Sequence, residues 1–201
     1  MDDESTMAAN DESTIAANDE SAIAAILEFN KRFVAEDKGL PFRAEHKPRK
    51  HLAVVSCMET RLLTLLNAAL DLENGDANLI KVAGAEVKHP YGTVMRSLLV
   101  AVHHLDVREI MIVAHTDCGA QHLSCSDMSD SMKHNGISDE AFKPALASGV
   151  DLDRWLEGFE DLEASVRRSV AVVQGHPLLP SYVRVRGFVM NTETGELSAV
   201  E

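Results

Sequence analysis

Positive charge is missing from the first 28 residues of this 201-residue sequence: eight acids (Asp2, Asp3, Glu4, Asp11, Glu12, Asp19, Glu20, Glu28) stand there without a Lys or Arg. The chain carries a formal net charge of −13, of which the body after that segment accounts for −5. A mildly acidic body offers no electrostatic footprint for nucleic acid or an anionic membrane. The short run Lys47, Arg49, Lys50 reads as a solvated loop before a strand. Long apolar runs are lacking too. Leu98 to Val102 is a run of five residues, against the roughly 20 that span a bilayer. The acidic, alanine-rich start has neither the cationic beginning nor the apolar core of a signal peptide, so the expected compartment is the cytoplasm. Cysteine is scarce as well, and three of them, an odd number, do not make a disulfide framework.

Hydrophobic residues make up 45% of the chain, enough for one compact core. Residues 3–26 repeat an octapeptide in tandem, starting at Asp3, Asp11 and Asp19. On a helix, an eight-residue period turns Met7, Ile15 and Ile23 by about 80° per repeat, a spiral and not a stripe. Residues 1–20 therefore read as an acidic repeat tail, disordered or partly helical, and 21–201 as a single domain with an N-terminal helical arm. The arm starts in the third copy, runs to about Glu36, and gains an apolar side from Ile23, Ile26, Leu27, Phe29, Phe33 and Val34, suited to a partner subunit.

From His51 strands and helices alternate. Leu52–Ser56, Asn78–Ala83 and Glu109–Ala114 are short apolar runs read as strands; Arg61–Leu72 and Thr93–Leu105 have helical spacing. This alternation predicts an α/β fold with a parallel sheet and helices on both faces. Mostly helical segments follow Cys118, notably Asp153–Phe159 and Leu162–Val173. Val183–Met190 and Glu196–Val200, joined through Asn191–Gly195, predict a terminal hairpin that adds an edge strand.

Two patterns fall at the carboxyl ends of the first and third strands: Cys57-Met-Glu-Thr-Arg61 and His115-Thr-Asp-Cys118-Gly119. If those strands are neighbours, with the second strand outside the first, the chain order reverses between them. The crevice at such a reversal is where open α/β sheets bind ligands. Taken singly, each Cys reads as well as a buried small apolar residue, and His115 as a hydrogen-bonded strand end. Together, two thiolates and an imidazole form a zinc donor set whose fourth position stays open to water or substrate. Cys125 has no partner pattern and reads as a free thiol. His122 reads as a helix-surface residue that could assist proton transfer, and His103 and His104 as residues that close a helix and interact with its negative end.

At these residues the sequence resembles the β-class carbonic anhydrases, in particular their short bacterial members. The likeness runs over roughly residues 50–200. It rests on Ser56–Leu62, Gly75–Lys81, Ala83-Gly84, His89-Pro-Tyr-Gly92, Met95-Arg-Ser97, His115–Gly119, His176-Pro-Leu-Leu-Pro180 and Thr194-Gly195. The resemblance implies one Zn²⁺ per chain on Cys57, His115 and Cys118, and an acid–arginine pair at Glu59 and Arg61. It also implies a homodimer or a multiple of dimers, with sites near the interface and an N-terminal helix across the partner. The implied activity is reversible hydration of carbon dioxide, a small-molecule substrate, to bicarbonate. Where the family has Asp this chain has Glu59, one methylene longer, and where short members show Asn it has Val82. Glu59 is thus both a catalytic candidate and a conditional fourth metal ligand; Arg61, whose fork suits a carboxylate, is the cation that draws it off the metal. Two other readings are hydrolysis of carbonyl sulfide or carbon disulfide, and a catalytically silent protein in which Glu59 closes the zinc shell. The spacing Cys57 to Arg61 is too short for a Cys-x5-Arg phosphate loop.

Overall fold

The structure is a computed structural model that describes the backbone from residue 12 and side chains from residue 21; the tail reading of residues 1–11 lies outside the described residues. The chain divides into two compact units, residues 1–44 and 45–201. In the first, helix α1 (Glu12–Ala35) begins within the second octapeptide copy, earlier than the third copy where the sequence reading starts it. A 3₁₀ turn over Leu40–Phe42 follows, and the Phe33 ring lies between Phe29 and Phe42, at 6.3 and 6.4 Å. Ile23, Ile26, Leu27, Phe29 and Val34 are exposed.

The second unit alternates β1 (Leu52–Cys57), α2 (Leu62–Ala69), β2 (Ala77–Val82), α3 (Thr93–Leu105) and β3 (Glu109–His115). Helices α4 (Cys125–His134), α5 (Lys143–Ala147), α6 (Leu152–Leu156) and α7 (Leu162–Gln174) follow, then β4 (Arg184–Met190) and β5 (Leu197–Val200). The strand order is β2-β1-β3-β4-β5, parallel except for the antiparallel pair β4 and β5. The chain order therefore reverses between β1 and β3, which pair from Leu52↔Glu109 to Ser56↔Val113.

Burial follows from that position. In β1 every residue from Ala53 to Cys57 is buried, as expected of a central parallel strand covered on both faces. Ala53, Val55, Ile110 and Ile112 pack with Met95, Leu98, Ala101 and Val102 of α3 on one face. Val54 and Val113 pack with Leu62 and Leu66 of α2 and Val166 of α7 on the other. The α3 residues recur at helical spacing, and the helix ends at Asp106 in the left-handed region (φ 60°). Helix α7 starts on Asp161, whose side chain accepts the Ala164 N–H at 2.7 Å. It lies close on β4 because Gly187 has no side chain: a Cβ there would meet Val166 Cγ1 at 2.4 Å.

Candidate metal centre

Two central strands deliver the donors. β1 ends on Cys57 and β3 on His115, side by side at the reversal of chain order. After His115, the left-handed residue Asp117 (φ 54°) turns the chain back, bringing Cys118 to the same place. The ligating atoms of Cys57, His115 and Cys118 lie within 4.8 Å of one another, and all three residues are buried.

The two sulfurs are 3.8 Å apart, far beyond the roughly 2.05 Å of a disulfide. Two thiolates on one tetrahedral zinc, each at about 2.3 Å, stand about 3.8 Å apart. His115 presents the matching nitrogen. Its Nδ1 lies 2.8 Å from the Thr116 carbonyl, which must accept the proton. Nε2 is left with a lone pair, fully buried and without a hydrogen-bond partner. A buried lone pair facing two sulfurs is an unpaid desolvation cost that a cation removes. The residues present thus fit a zinc ion.

Without a cation the site is acidic in an unusual way. The Cys118 S–H lowers the Cys57 pKa to about 4 against the opposing effect of burial, and the His115 ring when it carries a proton on Nε2, with the backbone N–H groups of Glu59 and Gly84, lowers it further. Cys118, hydrogen-bonded to Cys57 and buried, is pushed up correspondingly. The pair shares one proton. Burial opposes charge on His115, but the Cys57 sulfur and the Thr116 carbonyl outweigh it and raise its pKa. Metal binding must displace such protons, so affinity falls as pH falls.

Glu59 and Arg61 stand at the entry to α2, where Leu62 N–H bonds back to the Glu59 carbonyl at 3.1 Å. Arg61 grips Glu59 in parallel, Nε to Oε1 at 3.1 Å and Nη2 to Oε2 at 3.3 Å. That guanidinium holds the Glu59 carboxyl at a pKa of about 2. Arg61 also reaches across to the loop after β3: Nη1 donates to Asp117 Oδ2 and Nη2 to the Asp117 carbonyl, both at 2.9 Å. Asp117 escapes a sequence reading because its partner is 56 residues away; the only sign in the sequence is an acid standing between the two donors His115 and Cys118.

Around this centre, Gly84 takes a left-handed conformation (φ 65°) between Val82 and Glu86. Val82 lines a cavity of about 340 Å³ together with Ala120, Leu123, Glu86 and Lys88, and none of the three donors is in its wall. Residues 120–123 are held by residues 158–160: Gly158 N–H donates to the Leu123 carbonyl at 2.7 Å and His122 N–H to Phe159 at 2.9 Å. Gly158 is obligatory there, since a Cβ would stand 1.7 Å from the Ala120 carbonyl oxygen. His122 is not on a helix; it sits in this turn at φ 62° with Nδ1 2.6 Å from Glu160. His103 lies 2.8 Å from the Leu178 carbonyl, tying the end of α3 to the segment before β4. Cys125 opens α4 as a free thiol. A larger cavity of about 970 Å³, between Glu86–His89, α6 and α7, likewise has none of the three donors in its wall. Donor chemistry, not cavity size, marks the site. No helix among the described residues is long and apolar enough to cross a membrane.

Fold and donors together define a class: a mostly parallel α/β sheet with a Cys-His-Cys group at its switch point. Comparison with known proteins narrows that class. The sequence model of the family described as carbonic anhydrase matches residues 52–197. The Bacillus subtilis (strain 168) protein named "Putative carbonic anhydrase YvdA" is 46% identical over 176 residues, 88% of this chain and 89% of that protein. The crystal structure of β-carbonic anhydrase isoform I from Trichomonas vaginalis superposes with a TM-score of 0.78 at 29% identity, over 89% of this chain and 96% of that one. More distantly, a carbon disulfide hydrolase from Acidithiobacillus thiooxidans is 25% identical over 154 residues, 74% of this chain and 76% of that protein. The chain belongs to the β-carbonic anhydrase family.

Proposed function

We propose that this protein holds one Zn²⁺ on Cys57, His115 and Cys118 and hydrates carbon dioxide reversibly to bicarbonate. The observation that carries the reading is the convergence of the three donors beside a Glu59 carboxylate engaged by Arg61. When bound, the metal supplies Lewis acidity that brings the pKa of a water toward about 7.

The chain's own groups do the rest. Two thiolates cancel the ion's charge, and the Thr116 carbonyl fixes the His115 tautomer. Arg61 occupies both oxygens of Glu59, which keeps this carboxylate from serving as a fourth ligand. Glu59, with its pKa near 2, accepts a hydrogen bond from the attacking water and orients it. So acidic a group stores no proton at neutral pH, and the proton released in each cycle leaves to solvent or buffer.

Stopped-flow carbon dioxide hydration tests this reading, on protein as purified, after chelation and after zinc is returned. Activity that disappears on chelation and returns with zinc is the expected result. Zinc-loaded protein that leaves the buffer rate unchanged overturns it; hydrolysis of carbon disulfide by the same sample then makes that chemistry the function.

A further inference from the structure

Arg61 joins the two loops that carry the donors. Its guanidinium receives one carboxylate from its own loop, Glu59, and a second from the loop after β3, Asp117. The contacts to Asp117, both 2.9 Å, are shorter than the 3.1 and 3.3 Å contacts to Glu59. Shorter charge-assisted bonds are the stronger ones, so Asp117 is the anchor and Glu59 the guest. Asp117 also makes its contacts through two different groups, side chain and main chain, which fixes the guanidinium's orientation as well as its place. Asp117 touches neither sulfur in the hydrogen-bond network; what it touches is the cation that decides where Glu59 points.

We infer that Asp117 is a positioning residue that holds Arg61 so that Arg61 keeps the Glu59 carboxylate off the metal. The inference rests on the zinc assignment proposed above. Without the Asp117 carboxylate the guanidinium loses its anchor at Nη1 and keeps only the main-chain contact at Nη2, so it is freer to turn, and Glu59 gains freedom to reach the cation as a fourth ligand. Asp117 would thereby set the fraction of sites open to substrate without taking part in the reaction. Hydration should fall by about fivefold in Asp117→Ala, the upper end of what an exposed ion pair contributes.

The experiment compares wild type, Asp117→Ala, Asp117→Asn and Arg61→Ala, each loaded with Zn²⁺ for hydration kinetics and with Co²⁺ for visible absorption. The cobalt spectrum reads the ligand set directly, whether or not the protein hydrates carbon dioxide. Asp117→Ala is expected to bind metal stoichiometrically and to shift its cobalt spectrum toward that of Arg61→Ala. Asp117→Asn, which keeps an acceptor for Nη1, is expected to lie between. A second comparison uses the Glu59→Gln background, where no carboxylate competes for the metal. There the added Asp117→Ala should change hydration and spectrum little. An Asp117→Ala spectrum identical to wild type overturns the inference, as does an equal loss of hydration in the presence and absence of Glu59, which would mark Asp117 as merely structural. Wild-type protein that binds cobalt but does not hydrate carbon dioxide defeats the proposed activity, and the spectra still decide Asp117's role.

Discussion

At the scale of single residues, the family resemblance sets an Asp where this chain has Glu59, one methylene longer. The side chain reaches back to Arg61 as a parallel two-point pair; on the function proposed above, the same length would let it reach the metal once Arg61 lets go. A closed state favoured by about 1.4 kcal/mol would leave roughly a tenth of sites open. Glu59→Asp is therefore expected to raise the hydration rate severalfold and Arg61→Ala to lower it, read by stopped-flow at equal zinc content. Identical rates in wild type and Glu59→Asp would show that the longer carboxylate is simply accommodated. Glu86 carries a second residue-level consequence. Its side chain is only 10% exposed; burial raises its pKa, with Lys88 and the Ser165 hydroxyl opposing. The folded state thus binds the Glu86 proton more tightly than the unfolded chain, and this stabilisation, full below the ordinary carboxylate value, is lost as pH rises through the raised one. Glu86→Gln should have a higher Tm than wild type at about pH 7.5, and the two should converge near pH 4. Calorimetry at both pH values checks this.

At the scale of elements, the strands were legible because β1 and β3 are buried β-branched runs, and α3 because its apolar residues keep helical period. The order of the strands entered only as a condition, β1 beside β3 with β2 outside, under which the two motifs would converge, and the structure meets that condition. Helix α4 was not legible: Cys125–His134 buries no residue, so it has no apolar period to read, and its start is set by the Ser124 side chain accepting the Asp127 N–H at 3.1 Å. The predicted helix over Asp153–Phe159 stops early, at Leu156, because Gly158 and Phe159 pair with residues 120–123 instead. The link from Asp117 to Arg61 could not be seen either, since nothing local to Asp117 names its partner. Glycines at two element contacts separate stability from the site. Gly187→Ala drives a methyl into Val166 between α7 and β4, and overpacking of this kind costs about 1–3 kcal/mol. Denaturant unfolding should record that loss with zinc content unchanged. Gly158→Ala pushes on the Ala120 carbonyl, two residues from Cys118, and should lower zinc retention as well. Equal zinc retention in both variants would show that the 158–160 segment does not support the donor loop.

At the scale of the whole molecule, the helical arm leaves apolar side chains exposed at Ile23, Ile26, Leu27, Phe29 and Val34, a grouping on one helix of the kind that marks an interaction surface. We expect two copies, or a multiple of two, to cover them. Sedimentation at micromolar concentration should find no free monomer, and a monomer there would remove the expectation. The donors and the latch beside them also meet solvent very differently. His115 is fully buried and Cys57 and Cys118 are 5% and 7% exposed, whereas the side chains of Arg61 and Asp117 are 46% and 82% exposed. Ionic strength therefore acts on one and spares the other, since screening weakens solvent-facing charge pairs over a Debye length of about 8 Å at physiological salt and leaves buried ones nearly untouched. Raising the concentration of a salt whose anion coordinates metals poorly should slow turnover while the zinc stays in place.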